Sequence, residues 1–150
     1  MQLHSESNSA LNTVTAYGSD YIEINQVPYR HAVYFKPEGE IQAWAVQTVD
    51  DISVERLREV AGLSDTKDDP MAFLDADAAP QKPPDAPEVI LIGTGLTQRF
   101  LPPDITGSVL ALGIGVESMS TQAAARTYNI LMAEGRRVVA ALLLHEDVSP

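Results

Sequence analysis

The sequence predicts an α/β fold. Residues 88–144 alternate short apolar runs with amphipathic stretches of helical period, while the first half breaks into short β-type segments at Gly, Asn and Pro turns. Size agrees with this: 150 residues, 45% hydrophobic and 21% charged, can bury a core without crosslinks. One domain over residues 1–150 is expected.

The elements follow in order. Thr13–Tyr17 and Tyr21–Ile24 flank Gly18-Ser19 and read as two strands about a turn. Asn25-Gln26 supplies another turn, and Val33–Phe35 a further strand. After the break at Pro37-Glu38-Gly39-Glu40, Ile41, Ala43 and Ala45 alternate with Gln42, Trp44 and Val46, a strand partly covered on both faces. Ser53 caps a short helix in which Val54, Leu57, Val60 and Ala61 share a face, and Gly62 stops it.

Residues 64–87 change character. They hold six aspartates and five of the chain's ten prolines, so they bury little apolar surface against their ordering entropy. We read them as an acidic, Pro-rich connector inserted in the domain, with Met71-Ala72-Phe73-Leu74 as a patch that either docks or forms a helical turn. Beyond it, Glu88–Ile92 is a strand buried on both faces, ending in Gly93-Thr94-Gly95. Pro102-Pro103 starts a helix over 104–112 that stops at Gly113. A short strand includes Val116 and ends near Glu117. Ser118 or Ser120 caps the longest helix, 121–134, which Gly135 ends, and 136–144 is the last strand. Strand, helix, strand, helix, strand implies right-handed parallel crossovers.

Charge and composition exclude several functions. Asp plus Glu number 21 against 10 Lys plus Arg, a net charge of −11 that repels phosphate backbones and anionic lipid. Nucleic acid is therefore not an expected partner. The absence of cysteine removes disulfides, thiol catalysis and Cys-ligated zinc. The start, Met1–Glu6, lacks a basic, then apolar, leader pattern, and the longest apolar run, Val138–Leu144, falls far short of the roughly 20 residues of a spanning helix. These observations predict a soluble chain without an integral membrane segment, cytoplasmic if the protein is bacterial.

The candidate chemistry is sparse. Gly93-Thr94-Gly95 after a buried strand lets backbone approach a ligand, and a following helix start could hold an anion. It lacks the third glycine of a dinucleotide loop and the Lys-Ser/Thr of a P-loop, so its plainer reading is a tight turn. On the long helix, Gln122, Arg126, Asn129 and Ala133 form a polar stripe, and Ala124, Tyr128, Leu131 and Met132 an apolar one. Any half-buried helix shows this pattern. The functional alternative puts Thr121 and Arg126 at a pocket by the strand ends, where open α/β sheets place ligands. Arg136 could pair with a carboxylate such as Glu117. His4, His31 and His145 lack metal-ligand spacing, and no serine sits in a Gly-x-Ser-x-Gly elbow. No metal and no cofactor is expected.

Taken together, Gly93-Thr94-Gly95, Gly113-Ile114-Gly115-Val116-Glu117, Thr121, Arg126-Thr127-Tyr128-Asn129-Ile130-Leu131 and Glu134-Gly135-Arg136 resemble the small Mth938-like proteins. Mitochondrial relatives of that family include respiratory complex I assembly factor 3. The resemblance covers most of 88–144; the first half carries weaker marks. It implies a three-layer α/β fold around a central mixed sheet, and assembly or accessory roles without an established reaction. Two departures stand out. Ser120 occupies a position that is often aspartate in the family, and Ala125 one that is often cysteine, which argues against a thiol-dependent role here.

The expected function is a non-catalytic binding or assembly module for a protein partner. The alternative, a small-molecule or anion-binding protein or an unrecognised enzyme, would use Gly93, Thr94, Gly95, Thr97, Gln98, Glu117, Thr121 and Arg126. An exposed sheet edge could also support a homodimer.

Overall fold

The most apolar run of the sequence lies at the centre of the structure. In β8 (Val138–Leu142) all five residues are buried, because each face of the strand is covered by a different core. The structure is a computed structural model that describes residues 11–63 and 84–144. Most of the expected acidic connector, including Met71–Leu74, lies outside the described residues, as do His4 and His145.

Five strands make the main sheet: β4 (Val33–Phe35), β5 (Gln42–Ala43), β6 (Val89–Gly93), β7 (Gly115–Met119) and β8, in the order β5-β4-β8-β6-β7. The strands β8, β6 and β7 run parallel, while β4 is antiparallel to both β8 and β5, so the sheet is mixed. A separate three-stranded antiparallel sheet contains β1 (Val14–Tyr17), β2 (Ile22–Ile24) and β3 (Val27–Tyr29). Asn25 and Gln26 join β2 to β3 with positive φ values of 54° and 69°, the left-handed geometry of a tight hairpin.

Three helices occur among the described residues: α1 (Val54–Val60), α2 (Pro103–Leu110) and α3 (Thr121–Ala133). Ile90, Ile92, Val139, Ala141 and Leu143 face α1 and α2, packing with Leu57, Val60 and Val109. Leu91, Val138, Ala140 and Leu142 face the other way, packing with Ala124, Tyr128 and Met132 of α3 and with Val14, Ile22 and Ile24 of the small sheet. The fold is thus three-layered, and period-two alternation in β6 and β8 divides their side chains between the two cores. Phe35 and Tyr128 meet edge to face, 4.8 Å between ring centroids.

The helix boundaries follow local chemistry. Ser53 accepts a hydrogen bond from the Arg56 amide, and Ser120, rather than Ser118, accepts one from Ala123. The expected stops at Gly62, Gly113 and Gly135 all have positive φ. Other expectations need correction. The strand expected over Ile41–Val46 shrinks to Gln42–Ala43, since its one neighbour β4 has three residues; Trp44 and Val46 carry on as buried side chains of the α1/α2 core. The short β3, with Pro28 inside it, was not foreseen, because proline is scarce in strands except at edges. Helix α2 ends at Leu110, two residues before the expected end. Arg136 pairs with Glu88 at 2.8 Å, not with Glu117.

Candidate functional site

The loop after β6 is positioned by α3. A β-carbon on Gly93 would lie 2.9 Å from both Thr121 Cα and Leu142 Cδ2, so only glycine lets the helix start press on the sheet here. Gly95 adopts φ +99°. Its N–H donates to Thr121 Oγ1 at 2.8 Å, and its carbonyl accepts from the Thr121 N–H at 2.8 Å. Thr121 Oγ1 in turn donates to the Leu143 carbonyl. This buried threonine joins the β6 loop, the end of β8 and the start of α3.

The rest of the loop turns towards β7. Thr94 Oγ1 donates to the Thr97 carbonyl at 2.6 Å and accepts from the Arg99 N–H at 3.1 Å. The Thr94 N–H reaches the Met119 carbonyl at 2.8 Å. Gln98 Nε2 donates to the Ser118 carbonyl at 2.8 Å. Arg99 reaches Asp50 at 3.6 Å, an exposed pair of small energetic value.

Of the eight candidate residues, Gly95 and Thr121 line one small hollow of about 70 Å³, together with Gly18, Ser19, Leu96, Ser120, Gln122 and Leu144. Gly93 lies against Thr121 next to it. Thr94, Thr97 and Gln98 belong to the neighbouring loop. Glu117 is exposed on β7, and Arg126 is exposed along α3, where its guanidinium donates to the Tyr17 hydroxyl at 3.2 Å. The sequence reading missed Gly18 and Ser19, which reach the hollow from the β1–β2 turn. Their only signal was the turn itself, since no local pattern records which distant loop a turn will face.

Leu96 and Phe100 stand out on this loop with 59% and 77% exposure. A larger hollow of about 750 Å³ opens at the opposite end of the sheet, between the end of β4, the start of β8 and the end of α1. Gly62 and Asp85, near the two ends of the undescribed 64–83, stand on its rim. There the Tyr34 hydroxyl is held above its ordinary pKa by burial and by the adjacent Glu59 carboxylate. At the Arg136–Glu88 pair, the hydrogen bond from Arg136 holds the Glu88 carboxyl below its usual range. Among the described residues, no group of three or more His, Asp or Glu side chains gathers as metal ligands would.

The arrangement of strands, helices and glycines just described has a counterpart in a known family. A family model described as a protein of unknown function (DUF498/DUF598) matches residues 14–143. The chain belongs to this family. Solved structures place it among Mth938-like domains. The solution structure of a Bordetella pertussis protein, described as a Mth938-like domain, is 57% identical, covers 89% of this chain and 86% of that one, and has a TM-score of 0.72. A crystal structure from Bordetella parapertussis is 52% identical over 90% of this chain and 97% of that one, with a TM-score of 0.73. An uncharacterised Rhodobacter capsulatus protein is 48% identical over 56 residues, which is 37% of this chain and 45% of that relative; the match thus spans less than half of that protein. The family carries no assigned reaction. No helix among the described residues is long and apolar enough to cross a membrane.

Proposed function

We propose that this chain is a cytoplasmic, non-catalytic binding or assembly module that holds a protein partner through the Leu96–Phe100 loop and the rim of the Gly95–Thr121 hollow. The observation that carries the reading is the exposure of Leu96 and Phe100 on a loop whose backbone is fixed by Thr94 and Gln98. Apolar side chains exposed close together on a fixed loop are a feature by which protein interaction sites are recognised. The hollow beside them, about 70 Å³, is small against the roughly 300 Å³ at which small-molecule sites begin. The Gly95 N–H, which a bound anion would need, is already used by Thr121. The family resemblance points the same way, towards accessory roles.

The test is site-specific photocrosslinking in cells from position 100, with Glu40, exposed at the opposite end of the sheet, as the control position. One discrete adduct from position 100, absent from position 40 and lost in Leu96→Ser, is expected. Phe100→Ser should abolish recovery of that partner while changing the unfolding free energy by no more than the small range of surface substitutions, about 0.5 kcal/mol. No adduct at any salt concentration would count against the module. A metabolite or anion that raises the melting temperature of the native chain, but not of a Gly95→Val variant that still folds, would replace it with a ligand-binding role.

A further inference from the structure

The sheet edges of this molecule are treated unequally. β5 is two residues long, and β3 carries Pro28. The pairing of β1 with β2 slips between Val14 and Ala16, and the Asn129 carboxamide takes up the outward N–H and C=O of Val14 at 3.0 and 2.9 Å. Short length, proline, a bulge and side-chain cover are the ordinary devices that stop an edge from pairing further. β7 has none of the first three. It runs five residues in unbroken parallel register with β6, from Val89↔Gly115 to Gly93↔Met119, and among the described residues it is the edge of the main sheet opposite β5. Every one of its residues keeps some exposure, whereas β8 is buried throughout.

The hydrogen-bond direction shows which groups are open. The Gly115 N–H reaches the Glu88 carbonyl, and the Met119 carbonyl accepts from Thr94, so Gly115, Glu117 and Met119 turn their backbone towards β6. Val116 and Ser118 therefore turn theirs outward. Gln98 covers the Ser118 carbonyl alone.

The geometry points to strand addition: the outer edge of β7 pairs with an extended segment of a partner protein in which basic and apolar residues alternate. Strand addition draws affinity from main-chain hydrogen bonds and specificity from alternate side chains. The side-chain chemistry comes from charge complementarity. Glu117 is exposed at the middle of β7. Thr127 contacts Met119, so Ile130, one turn further along α3, and Glu134, its C-cap, line the same flank. The flank is acidic around one exposed isoleucine, on a chain of net charge −11. A second copy of this chain would instead bring like charges to that edge. The inference rests on the partner-binding reading above and names the chemistry of the partner.

The experiment titrates the full isotope-labelled chain with soluble peptides of about ten residues, long enough for one strand. One alternates Lys and Val, one alternates Glu and Val, and one is the Lys-Val peptide N-methylated at every second residue. The expected result is saturable binding of the Lys-Val peptide, weakened by salt, with new hydrogen-exchange protection at the Val116 and Ser118 amides. Val116→Pro removes an outward N–H that β6 does not use; it should keep the fold by circular dichroism and weaken the peptide about tenfold or more. Equal binding of the N-methylated or the acidic peptide overturns the inference, as does binding that leaves both amides unprotected, or no saturable binding. Protection of the same amides on concentrating the chain alone overturns it in favour of a homodimer. An adduct from position 100 that persists in Val116→Pro separates failure of this edge from failure of the module itself.

Discussion

Thr121 shows how one side chain can hold three elements. Its hydroxyl serves the Gly95 N–H and the Leu143 carbonyl in a site with 6% exposure. Thr121→Val keeps the shape but strands a buried donor and acceptor, so unfolding by urea should show a loss of about 1–3 kcal/mol. Gly93→Ala forces a β-carbon against Thr121 and Leu142 and should cost a similar amount, about 1–3 kcal/mol, in the same measurement. Tyr128 adds a pH effect. Burial raises its phenol pKa above the ordinary 10.0, and its hydroxyl donates to the Asn12 carbonyl at 2.7 Å. The contribution is therefore full below about pH 10 and is lost as the pH rises further, because the unfolded chain ionises first. Alkaline unfolding should be less steep in Tyr128→Phe. Glu88 works at the other end of the scale. Its lowered pKa favours the fold above the ordinary carboxylate value near 4.5 and is lost as the pH falls through the folded value. The pair is exposed, so Glu88→Gln should flatten the acid limb only slightly, and less so in high salt.

At the scale of elements, α3 organises the molecule. Its buried stripe of Ala124, Tyr128 and Met132 packs on the sheet, and that stripe was legible from helical period alone. Asn129 falls on the polar stripe of α3, yet it holds β1 by bonding both backbone groups of Val14. Nothing in the sequence near Asn129 marks this, since its partner lies 115 residues away. Asn129→Ala should raise hydrogen exchange in β1–β3 selectively, with a loss of about 1–3 kcal/mol in stability, while β6 and β8 keep their protection. Helix caps were easier. Ser53, Gly62, Gly113 and Gly135 act within one turn of their own position, so a short window of sequence contains their cause. The ends of β5 and α2 were less legible because neighbouring elements set them.

Across the whole molecule, charge and topology part company. The net charge of −11 opposes compaction by self-repulsion, so moderate salt should raise the melting temperature as screening sets in. That follows from composition. The fold class, the buried strands β6 and β8, the long helix, and the glycines that end helices follow instead from the local order of residues, because each depends on residues adjacent in the chain. The motif order that placed the chain in its family was equally local. The tertiary structure alone decided the order β5-β4-β8-β6-β7, the pairing of Arg136 with Glu88, and the separation of Glu117 and Arg126 from the Gly95–Thr121 hollow. It alone left β7 as the open edge. Hydrophobic period fixes which face of a strand is buried, but which strand lies outermost depends on contacts between segments far apart in sequence.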